Sequence, residues 1–109
     1  MKLIFTGHDY RYAVEQSLLA FFPEERPVYG GEDANSARVT LSAGEKLHTA
    51  VTVLTVGGRT ARGVSRMDVS AAKDEHERQR LLQRIVKLSF FKAARALTGV
   101  TPALSLIHI

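Results

Sequence analysis

The chain has 109 residues, 45% of them hydrophobic and 24% charged, which is enough for one modest domain around one core. Fifteen Lys and Arg against eleven Asp and Glu leave a net charge of +4, which favours an anionic partner without marking a nucleic-acid binder by itself. There is no Cys, so disulfides, thiolate–zinc sites, iron–sulfur ligation and thiol nucleophiles are excluded within these residues.

The opening "MKLIFTGHDYRY" turns polar too soon for a signal-peptide core, and no apolar stretch has membrane-spanning length, so a cytoplasmic protein is expected. Lys2–Thr6 is short, apolar and β-prone, and Gly7 ends it: a first strand. A helix follows in "HDYRYAVEQSLLAFFPEE". Asp9 is its expected N-cap, Tyr10, Val14, Leu18, Phe21 and Phe22 recur at helical spacing, and Pro23 stops it. The Gly- and Pro-containing stretch Glu24–Ser36 is a connector.

Three strands come next, over Ala37–Leu41, Leu47–Val56 and Arg59–Met67. Gly57-Gly58 suits a two-residue hairpin, since such turns need positive φ at their central positions; it sets Val56 opposite Arg59, Leu54 opposite Ala61 and His48 opposite Met67. A four-residue turn at Ala43–Lys46 joins the first two strands. Alternation then divides the sheet. Val39, Leu41, Ala50, Leu54, Val56, Ala61 and Met67 fall on one face, expected as core. Arg38, Thr40, Thr49, Val51, Val53, Thr55, Arg62, Val64 and Arg66 fall on the other.

From Ser70 the sequence reads as one long amphipathic helix. Ser70 is the expected cap, Asp74, Glu75 and Glu77 lie toward the positive end, and Arg84, Lys87, Lys92 and Arg95 lie toward the negative end. Leu82, Ile85, Val86, Phe90, Ala93, Ala94 and Leu97 form the buried stripe, and Gly99 is the stop. The expected fold is α+β: a β-α-β-β-β-α two-layer sandwich, with an antiparallel sheet and two helices packed on one face.

The stretches "KLIFTGHDYRYAVEQSLLAFFPEE", the meander, and a charged helix running into "LTGVTPA" together resemble the N-terminal region of the HemZ family. These are radical-SAM proteins of the oxygen-independent coproporphyrinogen III oxidase-like, or coproporphyrinogen dehydrogenase, class. Gly7, His8, Asp9 and Tyr10, then Phe21, Phe22 and Pro23, match the family's opening turn and helix end; Thr98, Gly99 and Pro102 match the approach to its catalytic barrel. Leu104 departs from it, standing where a Trp-Gly segment would continue. The resemblance implies that residues 1–103 are an accessory domain and that the parent protein carries a 4Fe–4S cluster and S-adenosylmethionine for porphyrinogen chemistry in haem biosynthesis. This fragment is expected to hold no cofactor, metal or catalytic residue, to pair with its own C-terminal catalytic domain, and to self-associate without it.

Residues Leu104–Ile109 read "LSLIHI", which looks like the translation of CTG TCT CTT ATA CAC ATC, the transposon mosaic end of sequencing libraries. A non-native tail is therefore expected at 104–109, with the natural protein continuing past Ala103. The alternative is a genuine β-prone C-terminal strand.

Other candidate chemistry is thin. His8 and Asp9 lack a nucleophile or second carboxylate tied to them by spacing, so a turn His and a capping Asp are the better reading. His76 has Arg80 where a second metal ligand would stand. Gly57-Gly58-Arg59 lacks the helix N-terminus and Lys-Ser/Thr of a phosphate loop. Arg38, Arg62 and Arg66 are the one cluster of interest: guanidinium groups sharing a sheet face suit phosphates, propionates or an acidic partner surface. Arginines also keep a half-exposed sheet soluble, while Val51, Val53 and Val64 among them point to a covering partner. A double-stranded-RNA-binding-like module is the alternative function. It is weakened by the acidic start "AAKDEHE" of the long helix and by a sheet without stacking aromatics.

Overall fold

The computed structural model describes residues 1–99; the proposed boundary at Ala103 and the tail at 104–109 lie outside the described residues. Strand β1 (Lys2–Phe5), helix α1 (Arg11–Phe21), strands β2 (Ser36–Ala43), β3 (Leu47–Val56) and β4 (Arg59–Asp68), and helix α2 (Glu75–Thr98) follow in that order. The fold is α+β, with one four-stranded sheet in the order β1-β2-β3-β4.

The sheet is mixed, which corrects the expectation of a wholly antiparallel one. β1 pairs parallel with β2, Leu3 beside Ala37 and Ile4 beside Arg38. The cause is the connection: α1 and its trailing loop carry the chain back so that β2 starts at the same end as β1, as a strand–helix–strand crossover must. The outer edge of β1 is closed by the connector, Leu3 N–H donating to the Val28 carbonyl at 2.8 Å and Val28 N–H to that of Met1 at 2.9 Å.

The β3–β4 register follows the Gly-Gly hairpin as expected, with Val56 opposite Arg59, Leu54 opposite Ala61 and His48 opposite Met67. Gly57 and Gly58 take φ of 58° and 78°, the left-handed pair that this turn requires. The β2–β3 turn lies one residue later than expected: Gly44 N–H donates to the Leu47 carbonyl at 2.9 Å, and Leu41 stands opposite Ala50 rather than His48. That slip is two residues in register, so parity is kept and every side chain stays on its expected face.

Both helix starts differ from expectation. Asp9 does not cap α1; Tyr10 occupies that position without a side-chain cap. Its ring is buried, and its hydroxyl accepts from Thr6 N–H at 2.9 Å, folding residues 6–10 into a turn that Gly7 enters at φ 83°. Ser70 does not cap α2 either. Its N–H and hydroxyl both go to Asp68, and the cap is Asp74, which accepts from Glu77 N–H at 2.8 Å while the Glu77 carboxylate takes Lys73 N–H at 3.0 Å. The far end behaves as read: Gly99 at φ 72° donates to the Arg95 carbonyl at 2.8 Å.

All seven expected stripe residues of α2 are buried, together with Ser89. They meet Leu3, Ala37, Val39, Ala50 and Leu54 from the sheet and Ala13, Val14 and Leu18 from α1 in one core. Phe21 and Phe22 of the α1 end reach Phe90, with ring centroids at 6.0 and 6.4 Å, which ties the two helices together. Burying one such large side chain contributes about 1.5–3 kcal/mol. Gly63 sets how closely α2 approaches: any Cβ there would strike the Ser89 carbonyl oxygen and the Ala93 nitrogen, both backbone atoms. One layer of helices therefore covers one face of the sheet, and among the described residues the opposite face is left open.

Candidate partner-docking face

The open face is built by alternation. Ile4, Arg38, Val53 and Arg62 form one cross-strand row; Thr40, Val51 and Val64 form the next; Ser42, Thr49 and Arg66 the one after. Leu47 and Asp68 close its far end, and Lys2, Ser36, Thr55 and Thr60 its near end. Neighbouring strands lie about 4.8 Å apart, so the backbones of Arg38 and Arg62, with Val53 between them, are separated by about 10 Å.

The structure brings the predicted arginines together on this face. Arg38, Arg62 and Arg66 are all exposed, and Val51, Val53 and Val64 between them are half-buried. The ion pairs of the described residues lie elsewhere: Met1 with Glu25 and Asp33, Arg11 with Glu15, and Arg78 with Glu75. Toward the described residues the three guanidinium groups therefore keep their hydrogen-bonding capacity. Asp68 is the acidic residue of the face, and it is occupied: the Ser70 hydroxyl and N–H hold its carboxyl below the usual range.

The face has an apolar axis that the sequence reading did not include in full. Leu47, on the same side of β3 as Val51 and Val53, is 48% exposed, and Ile4 extends the apolar surface past Arg38. Leu47 follows from alternation along β3 alone, and Ile4 follows once β1 is paired with β2. The outer edge of β4 is partly capped, because Lys92 Nζ donates to the Val64 carbonyl at 3.0 Å, a contact with no sequence signal.

The remaining candidates stay apart. His8 and Asp9 are exposed in the β1–α1 turn, and His76 lies exposed in the first turn of α2. Gly57-Gly58 is a hairpin turn, anchored from outside by Asn35, whose Oδ1 accepts Gly57 N–H at 3.1 Å. Among the described residues no group of His, Cys, Asp and Glu could hold a metal ion, and no helix is long and apolar enough to cross a membrane.

Comparison with protein-family models, with curated proteins and with solved structures yields no match to this chain.

Proposed function

We propose that the chain is a non-catalytic N-terminal accessory domain of a cytoplasmic radical-SAM protein of the coproporphyrinogen oxidase-like class, and that its open sheet face is covered by that protein's catalytic part. The observation that carries the reading is the pairing of a core on one side of the sheet with half-buried valines on the other, beside arginines that form no ion pair among the described residues. A sheet with apolar residues on both faces is stable when both are covered. The likeness of the Gly7–Tyr10 turn, the Phe21–Pro23 helix end and the Thr98-Gly99 step to the HemZ family supplies the parent.

The residues present do not fit the parent's iron–sulfur cluster, since the chain has no cysteine to ligate it. The chemistry belongs to residues outside this domain, and the role left to it is to bind and position.

The test is iron analysis and a coproporphyrinogen turnover assay on the purified chain after anaerobic reconstitution. Neither stoichiometric iron nor turnover is expected; either one contradicts the reading. The exposed arginines of this face also favour a second reading, a nucleic-acid surface, for which a gel shift of double-stranded RNA that weakens with salt is the deciding result.

A further inference from the structure

Down the middle of the open face runs an apolar ridge, Val53 and Val51 on β3 with Val64 beside them on β4. Arg38 on β2 stands on one flank of the β3 valines, and Arg62 and Arg66 stand on the other, on β4 to either side of Val64. We infer that the open face is a saddle for a single amphipathic α-helix that carries carboxylates along both flanks of its apolar stripe. The inference rests on the docking-face reading above and assigns the helix to the catalytic part of the same longer protein.

The geometry argues for this occupant over others. β3 is ten residues long, about 33 Å of extended chain, which matches a helix of about 20 residues at 1.5 Å per residue. A helix laid along β3 sets its apolar stripe on the valines and brings side chains from both shoulders to arginines about 10 Å apart. Carboxylates there gain bidentate, charge-assisted hydrogen bonds from guanidinium groups that form no ion pair among the described residues. A second copy of the chain fits less well, because stacking this face on itself would set arginine against arginine. Nucleic acid fits less well too: the ridge is aliphatic, and the face offers no aromatic ring for a base.

The test uses the full chain and a fluorescein-labelled synthetic peptide of about 18 residues, with Leu on one stripe and Glu on both flanks. A matching peptide carries Lys in place of Glu. By fluorescence anisotropy at low salt, the Glu peptide is expected to bind at least about tenfold tighter than the Lys peptide. The Arg38→Glu, Arg62→Glu chain, checked for folding by circular dichroism, is expected to reverse that preference. Reversal is the decisive readout, because loss of folding would weaken both peptides alike. No binding of the Glu peptide, equal binding of both peptides, or tighter binding of a double-stranded RNA of similar length overturns the helix assignment. If the assignment falls while the natural gene continues into a cysteine-bearing catalytic part, the accessory-domain reading stands; if the peptides behave as expected and the gene does not continue, the parentage and the placing of the helix on the same polypeptide fall together, and only the preference of the face for an acidic helix stands.

Discussion

Thr52 Oγ1 and Ser89 Oγ lie 2.7 Å apart, both side chains fully buried, and form a polar contact between sheet and α2 inside a largely apolar core. Ser89 Oγ also donates to the Val86 carbonyl at 2.8 Å, so in the mutual bond Thr52 is the donor. Ser89→Ala strands the Thr52 hydroxyl without a partner and should cost about 1–3 kcal/mol. Adding Thr52→Val to that variant should restore part of the loss, since an apolar pair leaves nothing unsatisfied. Denaturant melts of the two single variants and the double variant check this; strictly additive losses would show that the bond carries no coupling.

Gly63 stands opposite Thr52 on β4, beneath the same turn of α2. Gly63→Ala places a methyl against the Ser89 carbonyl oxygen and the Ala93 nitrogen, and neither backbone atom can swing aside as a side chain would. The helix must lift from the sheet, at a cost of about 1–3 kcal/mol or more. For a domain of this size, that lowers the thermal midpoint by roughly 4–8 °C per kcal/mol. An unchanged midpoint would mean that α2 is not seated as described.

The α-amino group of Met1 is buried beneath an acidic pair. It donates to Glu25 Oε2 and to the Arg26 carbonyl, both at 2.8 Å, with Asp33 Oδ2 at 3.3 Å. Burial alone would lower the pKa of the amine, but the hydrogen bonds to Glu25 and Asp33 outweigh it and hold it above its ordinary 8.0. The amine, then Asn35, holds Glu25 below its ordinary 4.5; the Asn35 N–H, then the amine, holds Asp33 below 3.8. A raised amine stabilises fully below its ordinary value and loses that contribution as pH rises through the folded one. Depressed carboxyls stabilise above their ordinary values and lose it as pH falls. Stability should be flat between about pH 5 and 8 and fall on either side. Glu25→Gln should flatten part of the acid limb in thermal melts across pH; an unaltered limb would remove this cluster from the account.

Self-association should depend on salt in an unusual direction. The apolar ridge of the open face favours pairing, and the arginines oppose it by like-charge repulsion. The Debye length shrinks from about 10 Å at 0.1 M salt to about 3 Å at 1 M, so repulsion fades while apolar contact does not. Sedimentation velocity should find monomer at low salt and a growing dimer fraction at high salt. A dimer that dissociates with salt would point to ion pairing and to a different interface.

Much of this was legible because it depends on parity and spacing. Gly57-Gly58 predicts the β3–β4 register, and the faces survived a misplaced Ala43–Lys46 turn because the error was an even number of residues. The buried stripe of α2 could be read from Leu82 to Leu97 by helical period, apart from Ser89, whose polarity hides a partner on another element. The parallel β1–β2 pairing could not be read locally, since it depends on where α1 and its loop return the chain. Caps failed for a similar reason. Asp9 and Ser70 are good capping residues, but Tyr10 burial and the Asp68–Ser70 contact move each helix start inward. The arginine face and Leu47 at its end were both visible by alternation, whereas Ile4 joins that face only through the β1–β2 pairing.

The central claim is that this domain serves a reaction centre elsewhere on a longer polypeptide. Sequencing the natural gene from uncloned genomic DNA through the codon for Ala103 tests it most directly. The account predicts an open frame that departs from "LSLIHI" and runs into a segment bearing a cluster-binding cysteine triad. A stop codon directly after Ile109, in DNA free of adapter, would contradict it.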